Sequence, residues 1–222
     1  MINYWRHHWY YIGGILFVAL AFFLIFFNDT LSRTQVILLA SFMSMLIHQF
    51  EEYAWPGGFP SMANSVLTPG NKDYDRYPFN ANQCFISNVF LTYAFYISAV
   101  LFPDMIWLGL AQVLAGVLQL FAHGIAINIR MKSFYNPGLG ATVFLQCPIA
   151  AYYIYHINNL GLVSGFSVYI IGLIGAIAAL SVLFFIPIKV MNNRNSKYPF
   201  YEEEIFGYAE EKMKKLINGE KI

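Results

Sequence analysis

The chain has 222 residues, 58% of them hydrophobic and 11% charged, and a formal net charge of +1. A soluble domain carries about 25% charged residues, so the composition excludes a soluble globular enzyme and points to an integral membrane protein. The small net charge gives nucleic acid nothing to bind, and Cys84 and Cys147, in or beside apolar segments and without metal spacing, make no disulfide framework.

About 20 consecutive apolar residues span a bilayer as a helix. Six stretches qualify: 10–28, 35–54, 83–102, 105–127, 139–158 and 162–188. The expected fold is therefore all-α, a polytopic bundle of about six transmembrane helices in one domain over residues 1–190. A tail over 191–222 follows, with one short amphipathic helix.

In chain order, Trp5, Trp9, Tyr10 and Tyr11 open the first span as an interfacial aromatic anchor, and His7 and His8 beside Arg6 read as solvated. Phe26-Phe27-Asn28-Asp29 offers no small-residue cleavage site, so this stretch is expected to stay as a span rather than leave as a signal peptide. Thr34 is placed to cap the second span, which ends at Trp55-Pro56-Gly57-Gly58-Phe59-Pro60. The long connection over 56–81 mixes charges with aromatics and reads as a folded lid. Asn136-Pro137-Gly138 reads as a helix start with Asn136 as cap, and Pro148 inside the fifth span predicts a kink. Gly172 and Gly175 in the sixth span hint at close packing. In the tail, Ile205, Ala209, Met213 and Leu216 form one stripe, with acids before and lysines after, as a surface helix requires.

With six spans, one side collects Arg6, Lys72, Arg76, Arg130, Lys132 and seven cations from the tail, against Arg33 alone on the other. The positive-inside rule then puts both termini in the cytoplasm of a multi-pass cell-membrane protein.

Glu51 and Glu52 are the only two carboxylates carried by the hydrophobic stretches. An ionisable group at membrane depth costs roughly 2.5–3.5 kcal/mol on insertion scales, so it has a partner and marks a site by default. His48 lies three and four residues before them, on the same helical face. The expected topology brings Asn82 and Asn88, then Gln119, His123 and Asn128, then Asn136, Thr142 and Gln146 to the same cytoplasmic depth. Glu51 and Glu52 also end a helix, where the dipole disfavours anions. A metal ion, a shared proton, an imidazolium of His48 or His123, or Arg130 and Lys132 are the available compensators. The inventory fits a divalent metal, zinc first, held by His48, His123 and one of Glu51 and Glu52. The other glutamate would act as general base, and Asn88, Gln119 and Asn136 would support the ligands or polarise a carbonyl. His156 falls at the far end of the fifth span, away from this cluster.

His48-Gln49-Phe50-Glu51-Glu52-Tyr53-Ala54-Trp55-Pro56-Gly57-Gly58-Phe59-Pro60, then Asn88, Ala122-His123 and Tyr135-Asn136-Pro137-Gly138-Leu139, together resemble the HXXEE-motif family of prokaryotic membrane proteins. The resemblance covers roughly 35–150. It implies membership and the weight of His48, Glu51 and Glu52, and it supplies no reaction. Arg130-Met131-Lys132-Ser133-Phe134-Tyr135 departs from the more compact Arg-Tyr-Asn-Pro-Gly of the family pattern, which leaves Arg130 without a role.

The expected function is a metal-dependent, hydrolase-like intramembrane enzyme acting on a lipid-like or amphiphilic small molecule from the surrounding membrane lipid. Three other readings stay open. One is an ion- or proton-coupled transporter using Glu51 and Glu52, for which Asn28 and His156 are the only sparse candidates for a polar path to the other side. Another is a metal-free isomerase shuttling protons through the carboxylates. The last is a scaffold acting through its tail. Oligomeric state is not legible.

Overall fold

The computed structural model describes residues 1–70, 72–218 and 220. Over these residues the chain is helical throughout, without strands. The elements are α1 (Ile2–Phe27), α2 (Arg33–Tyr53), α3 (Phe59–Leu67), α4 (Ala81–Leu101), α5 (Ile106–Met131), α6 (139–159), α7 (Ser167–Met191), α8 (Glu202–Ile205) and α9 (Glu210–Ile217).

Among the described residues, four helices are long and apolar enough to cross a membrane: α1, extended to Thr30, then α4, α5 and α7. Helices α2 and α6 are long too. They are less apolar because they carry His48, Gln49, Glu51 and Glu52, and Thr142 and Gln146. Helix α2 is buried along most of its length and forms the centre of the bundle. Helices α1 and α7 stand at the periphery and turn large side chains outward, among them Phe22, Phe26, Ile170 and Ile174. In water such a surface would be a liability; in lipid it is matched to its solvent.

Local chemistry fixes several element ends. Ser32, not Thr34, caps α2: its Oγ accepts from Gln35 N–H while Gln35 Oε1 accepts from Ser32 N–H, a reciprocal capping box. Helix α7 lies close on α5 because Gly172 and Gly175 have no Cβ to meet Leu110 and Ala111. Four long helices contain a π-helical turn, at Ile86–Leu91, Phe121–Ile127, Thr142–Gln146 and Ser181–Phe185. Two of these immediately precede Cys147-Pro148 and Ile186-Pro187, where proline removes a backbone donor and the ladder must rearrange.

The connection after α2 is folded, with α3 in its middle. The tail covers α3, as two short helices rather than one amphipathic helix. The break falls at Gly207, whose backbone lies directly on Gly57 with no room for a Cβ. Tyr208 N–H donates to Gly57 O at 3.3 Å and Ser61 Oγ–H to Ile205 O at 2.8 Å. Met213 and Ala209 pack with Met62, Ile127 and Met131.

The N-terminal aromatics divide between the two environments. Trp5 and Tyr11 are exposed, whereas Trp9 and Tyr10 turn inward onto Tyr53. His7 is buried rather than solvated: its Nδ1 lies 2.7 Å from Glu204 Oε2, and Tyr201 stacks on its ring. The sequence hides this pair because its partners stand 197 positions apart.

Candidate metal centre

At the last turns of α2, His48 and Glu52 stand four residues apart on one face, and α5 brings His123 against them. Glu52 Oε1 lies 3.4 Å from His48 Nε2 and 3.3 Å from His123 Nε2. The two imidazole rings meet edge-on, with centroids 4.9 Å apart. One ligand atom from each of the three residues lies within 4.8 Å of the others, and the two histidines are only 1% exposed.

The outer nitrogens fix both tautomers. His48 Nδ1 lies 2.9 Å from Gly138 O, an acceptor only, and 3.2 Å from Thr142 Oγ1, whose own hydrogen goes to Gly138 O at 2.8 Å. His123 Nδ1 lies 2.7 Å from Asn136 Oδ1. The Asn136 amide is oriented by its Nδ2, which donates to His123 O and to Asn128 Oδ1, both at 2.7 Å. Both Nδ1 atoms therefore carry hydrogen and donate. A ring in its neutral form then aims an Nε2 lone pair at the same carboxylate oxygen, and lone pairs at that distance repel unless a proton or a metal ion lies between them. His48 Nε2 has no hydrogen-bond partner among the described residues. A nitrogen anchored from behind, with its lone pair free, is the arrangement of a metal-ligating histidine.

The spacing agrees. Ligands of a tetrahedral zinc at bonds of roughly 2.0–2.1 Å stand roughly 3.3–3.4 Å apart. Both nitrogen–oxygen separations fall in that interval, and the three ligand atoms together lie within 4.8 Å of one another. Calcium and magnesium take oxygen ligands, so a two-nitrogen, one-oxygen set favours zinc or another late transition metal.

Gly138 makes room for this arrangement. It stands at φ +100°, a left-handed conformation that side chains oppose, and a Cβ there would lie 2.5 Å from His123 Cε1 and 2.9 Å from His48 Cε1. Helix α6 begins at Leu139 with Gly138 in the capping position. Asn136 does not cap it; its side chain is committed to His123.

Glu51 takes no part in the triad. Its Oε1 accepts from Tyr135 OH at 2.7 Å and Gly140 N–H at 3.0 Å, and its Oε2 from Ala141 N–H at 2.7 Å. The carboxylate sits on the N-terminus of α6, where unpaired amides and the dipole both favour an anion. Its compensation is thus neutral, from none of the cations that the sequence offers. Burial first, then the bond to Glu51, pushes the Tyr135 phenol above its ordinary value, so it stays a donor. The clue was a predicted helix start at 136–138 with amides to satisfy.

The remaining polar residues separate. Asn88 is buried on α4 and accepts from Gln49 Nε2 at 3.1 Å, while its own Nδ2 donates to Cys84 O. Gln119 is half-buried one turn before His123. His156 bonds Thr34 Oγ1 at 3.1 Å towards the opposite end of α2.

A cleft of about 460 Å³ opens onto Glu52 and His123 of the triad. Glu52, Gln119 and His123 are its polar residues beside the Tyr53 phenol, while Phe59, Val66, Leu118, Phe121, Phe184 and Ile188 are among its apolar ones. Its walls include the π-helical turns of α5 and α7, and α3 roofs it, with Phe59 stacked on His123 at 5.1 Å.

No curated protein and no solved structure matches the chain. The sequence model of the family described as "protein of unknown function with HXXEE motif" matches residues 39–153, which include His48, Glu51, Glu52, Asn88, His123, Asn136 and Gly138. The chain belongs to the HXXEE-motif family.

Proposed function

We propose that this protein is a metal-dependent intramembrane hydrolase acting on an amphiphilic, lipid-like substrate. In this reading all six long helices cross the cell membrane, both termini are cytoplasmic, and the site lies in the cytoplasmic leaflet; the Lys and Arg distribution supports this orientation. One observation carries it: two histidines anchored from behind place their Nε2 atoms 3.3–3.4 Å from one carboxylate oxygen, at the polar end of an apolar cleft.

His48, His123 and Glu52 would hold the ion, and Gly138 O, Thr142 and Asn136 would orient the rings. A divalent ion there supplies Lewis acidity and an activated water at neutral pH. The cleft takes the apolar chain of the substrate and places its polar link against Glu52 and His123. Gln119 offers a donor to the oxygen on which charge develops. Both Glu51 oxygens are occupied by donors, so the second carboxylate positions α6 rather than serving as general base.

The test is purification in mild detergent with metal analysis, followed by a panel of ester, amide and phosphoester amphiphiles with and without chelator. One equivalent of zinc, and hydrolysis lost with the chelator and restored by zinc, is expected. A folded, metal-free protein that hydrolyses the same substrates would overturn the proposal.

A further inference from the structure

The triad occupies one end of a seam between α2, α5 and α6, and that seam is unexpectedly polar. From α6 come Thr142, Gln146 and Tyr153; from α5, Gln112; from α2, the Leu38 carbonyl. Gln112 Nε2 donates to Leu38 O at 2.9 Å, bridging α5 to α2. Four atoms have no hydrogen-bond partner among the described residues: Gln146 Nε2, Gln146 Oε1, Gln112 Oε1 and Tyr153 Oη. The three side chains are 4%, 0% and 0% exposed. Leaving such a group unpaired costs roughly 1–3 kcal/mol, and buried polar groups are as a rule satisfied by protein or by ordered water.

Their heights in the bundle can be read from α5. The Gln146 side chain lies on Gly116, 3.3 Å from where a Cβ would stand, and the Tyr153 hydroxyl lies against Gly109. Gln112 falls between these glycines, four residues from one and three from the other. At a rise of about 1.5 Å per residue the α5 backbone levels of Gly116, Gln112 and Gly109 are separated by roughly 6 and 4.5 Å. No direct bond joins these atoms among the described residues, and two hydrogen bonds through one water span roughly 5.5 Å, so a water between successive groups suits the seam. At the near end, Gln146 lies one turn beyond Thr142, which touches His48. At the far end, Tyr153 lies one turn before His156, which bonds Thr34.

We propose that this seam binds a file of internal water molecules, held by Gln146, Gln112 and Tyr153, running from Thr142 beside the metal centre toward the Thr34–His156 end of the bundle. The file stands on the unpartnered atoms alone; its use rests on the hydrolytic reading. Hydrolysis consumes one water per bond cleaved, and an apolar cleft filled by substrate admits none. The seam reaches His48 through Thr142, at the Nδ1 side of the ring, and Thr142, Gln146, Gln112 and Tyr153 are not among the residues that line the cleft.

Water-edited solid-state NMR on the full chain in bilayers, with ¹⁵N-labelled glutamine side chains, tests this directly. Gln83 is the dry reference: it is fully buried, its Nε2 donates to Ser87 Oγ, and its Oε1 accepts from Cys84. Magnetisation should pass from water to the Gln112 and Gln146 amides several-fold faster than to Gln83, and Tyr153→Phe should slow transfer at Gln112 more than at Gln146. Transfer no faster than at Gln83, or a direct Gln112–Gln146 contact, overturns the file. Metal content, measured on the same sample, separates the two ideas. Zinc with dry glutamines removes the file and leaves the hydrolase, whereas hydrated glutamines in a metal-free protein do the reverse.

Discussion

Two buried histidine–glutamate groupings lie in this molecule, and they are built in opposite ways. His7 and Glu204 pair at 2.7 Å, and Glu204 also accepts from Tyr201 N–H at 2.8 Å and Tyr10 OH at 3.4 Å. That carboxylate is satisfied, and it ties the tail to α1. Glu52 instead stands 3.3–3.4 Å from two histidine nitrogens, with every directional bond to those rings made on their outer side. A closed pair is a clasp, whereas the open triad, anchored from behind, is the group that we propose holds a cation.

The largest expected contrast is in metal content. His123→Ala or Glu52→Gln should bring bound zinc from about one equivalent to nearly none by mass spectrometry, and Glu204→Gln should leave it unchanged. Zinc lost equally from all three variants would erase the distinction between clasp and receptacle. Next comes stability. Glu204→Ala strands His7 in a buried site and should cost about 3 kcal/mol in detergent unfolding, with the metal retained after refolding. Gly138→Ala forces a Cβ into both imidazoles at a positive φ and should cost on the order of 2 kcal/mol while weakening metal affinity more than tenfold. A crystal structure of that variant with unmoved rings would refute the steric account.

The smallest effect sharpens the role of Glu51. Tyr135→Phe removes one of three donors and should cost about 1 kcal/mol, with zinc content unchanged. The folded-state phenol titrates above its unfolded value, so the contribution of this bond is complete below the unfolded pKa. It is lost only as pH rises through the folded one. The difference between wild type and Tyr135→Phe should therefore be flat from about pH 6 to 9. A difference that disappears in that window would contradict the assignment.

Much of this was legible in the sequence, because long apolar runs read as helices and helix ends carry their own signals. The apolar runs at 35–54, 105–127 and 139–158 are the helices at 33–53, 106–131 and 139–159 within a few residues. His48, Glu52 and His123 converge because two helices that end on the same side share their depth. Which glutamate would face the histidines was not legible: Glu51 and Glu52 are adjacent, and a helix turns them 100° apart. Only the position of the α6 N-terminus decides it. Gly138 reads from the sequence as part of a helix start, and nothing local reveals that two imidazoles lie where its side chain would be. The Gln112–Gln146–Tyr153 seam was equally hidden, since isolated glutamines in apolar helices acquire meaning only when helices bring them to one interface. The clasp of His7 and Glu204 depends on contacts across nearly the whole chain, which no local pattern encodes.

The central claim is that Glu52, His48 and His123 form a cation site while His7 and Glu204 do not. X-ray absorption at the zinc edge on protein purified without added metal tests it most directly. The account predicts one zinc with two imidazole nitrogens and carboxylate oxygen at roughly 2.0–2.1 Å, and loss of the signal in His123→Ala. A folded protein with no stoichiometric transition metal at any edge, or a zinc signal that survives His123→Ala and vanishes in His7→Ala, would contradict it.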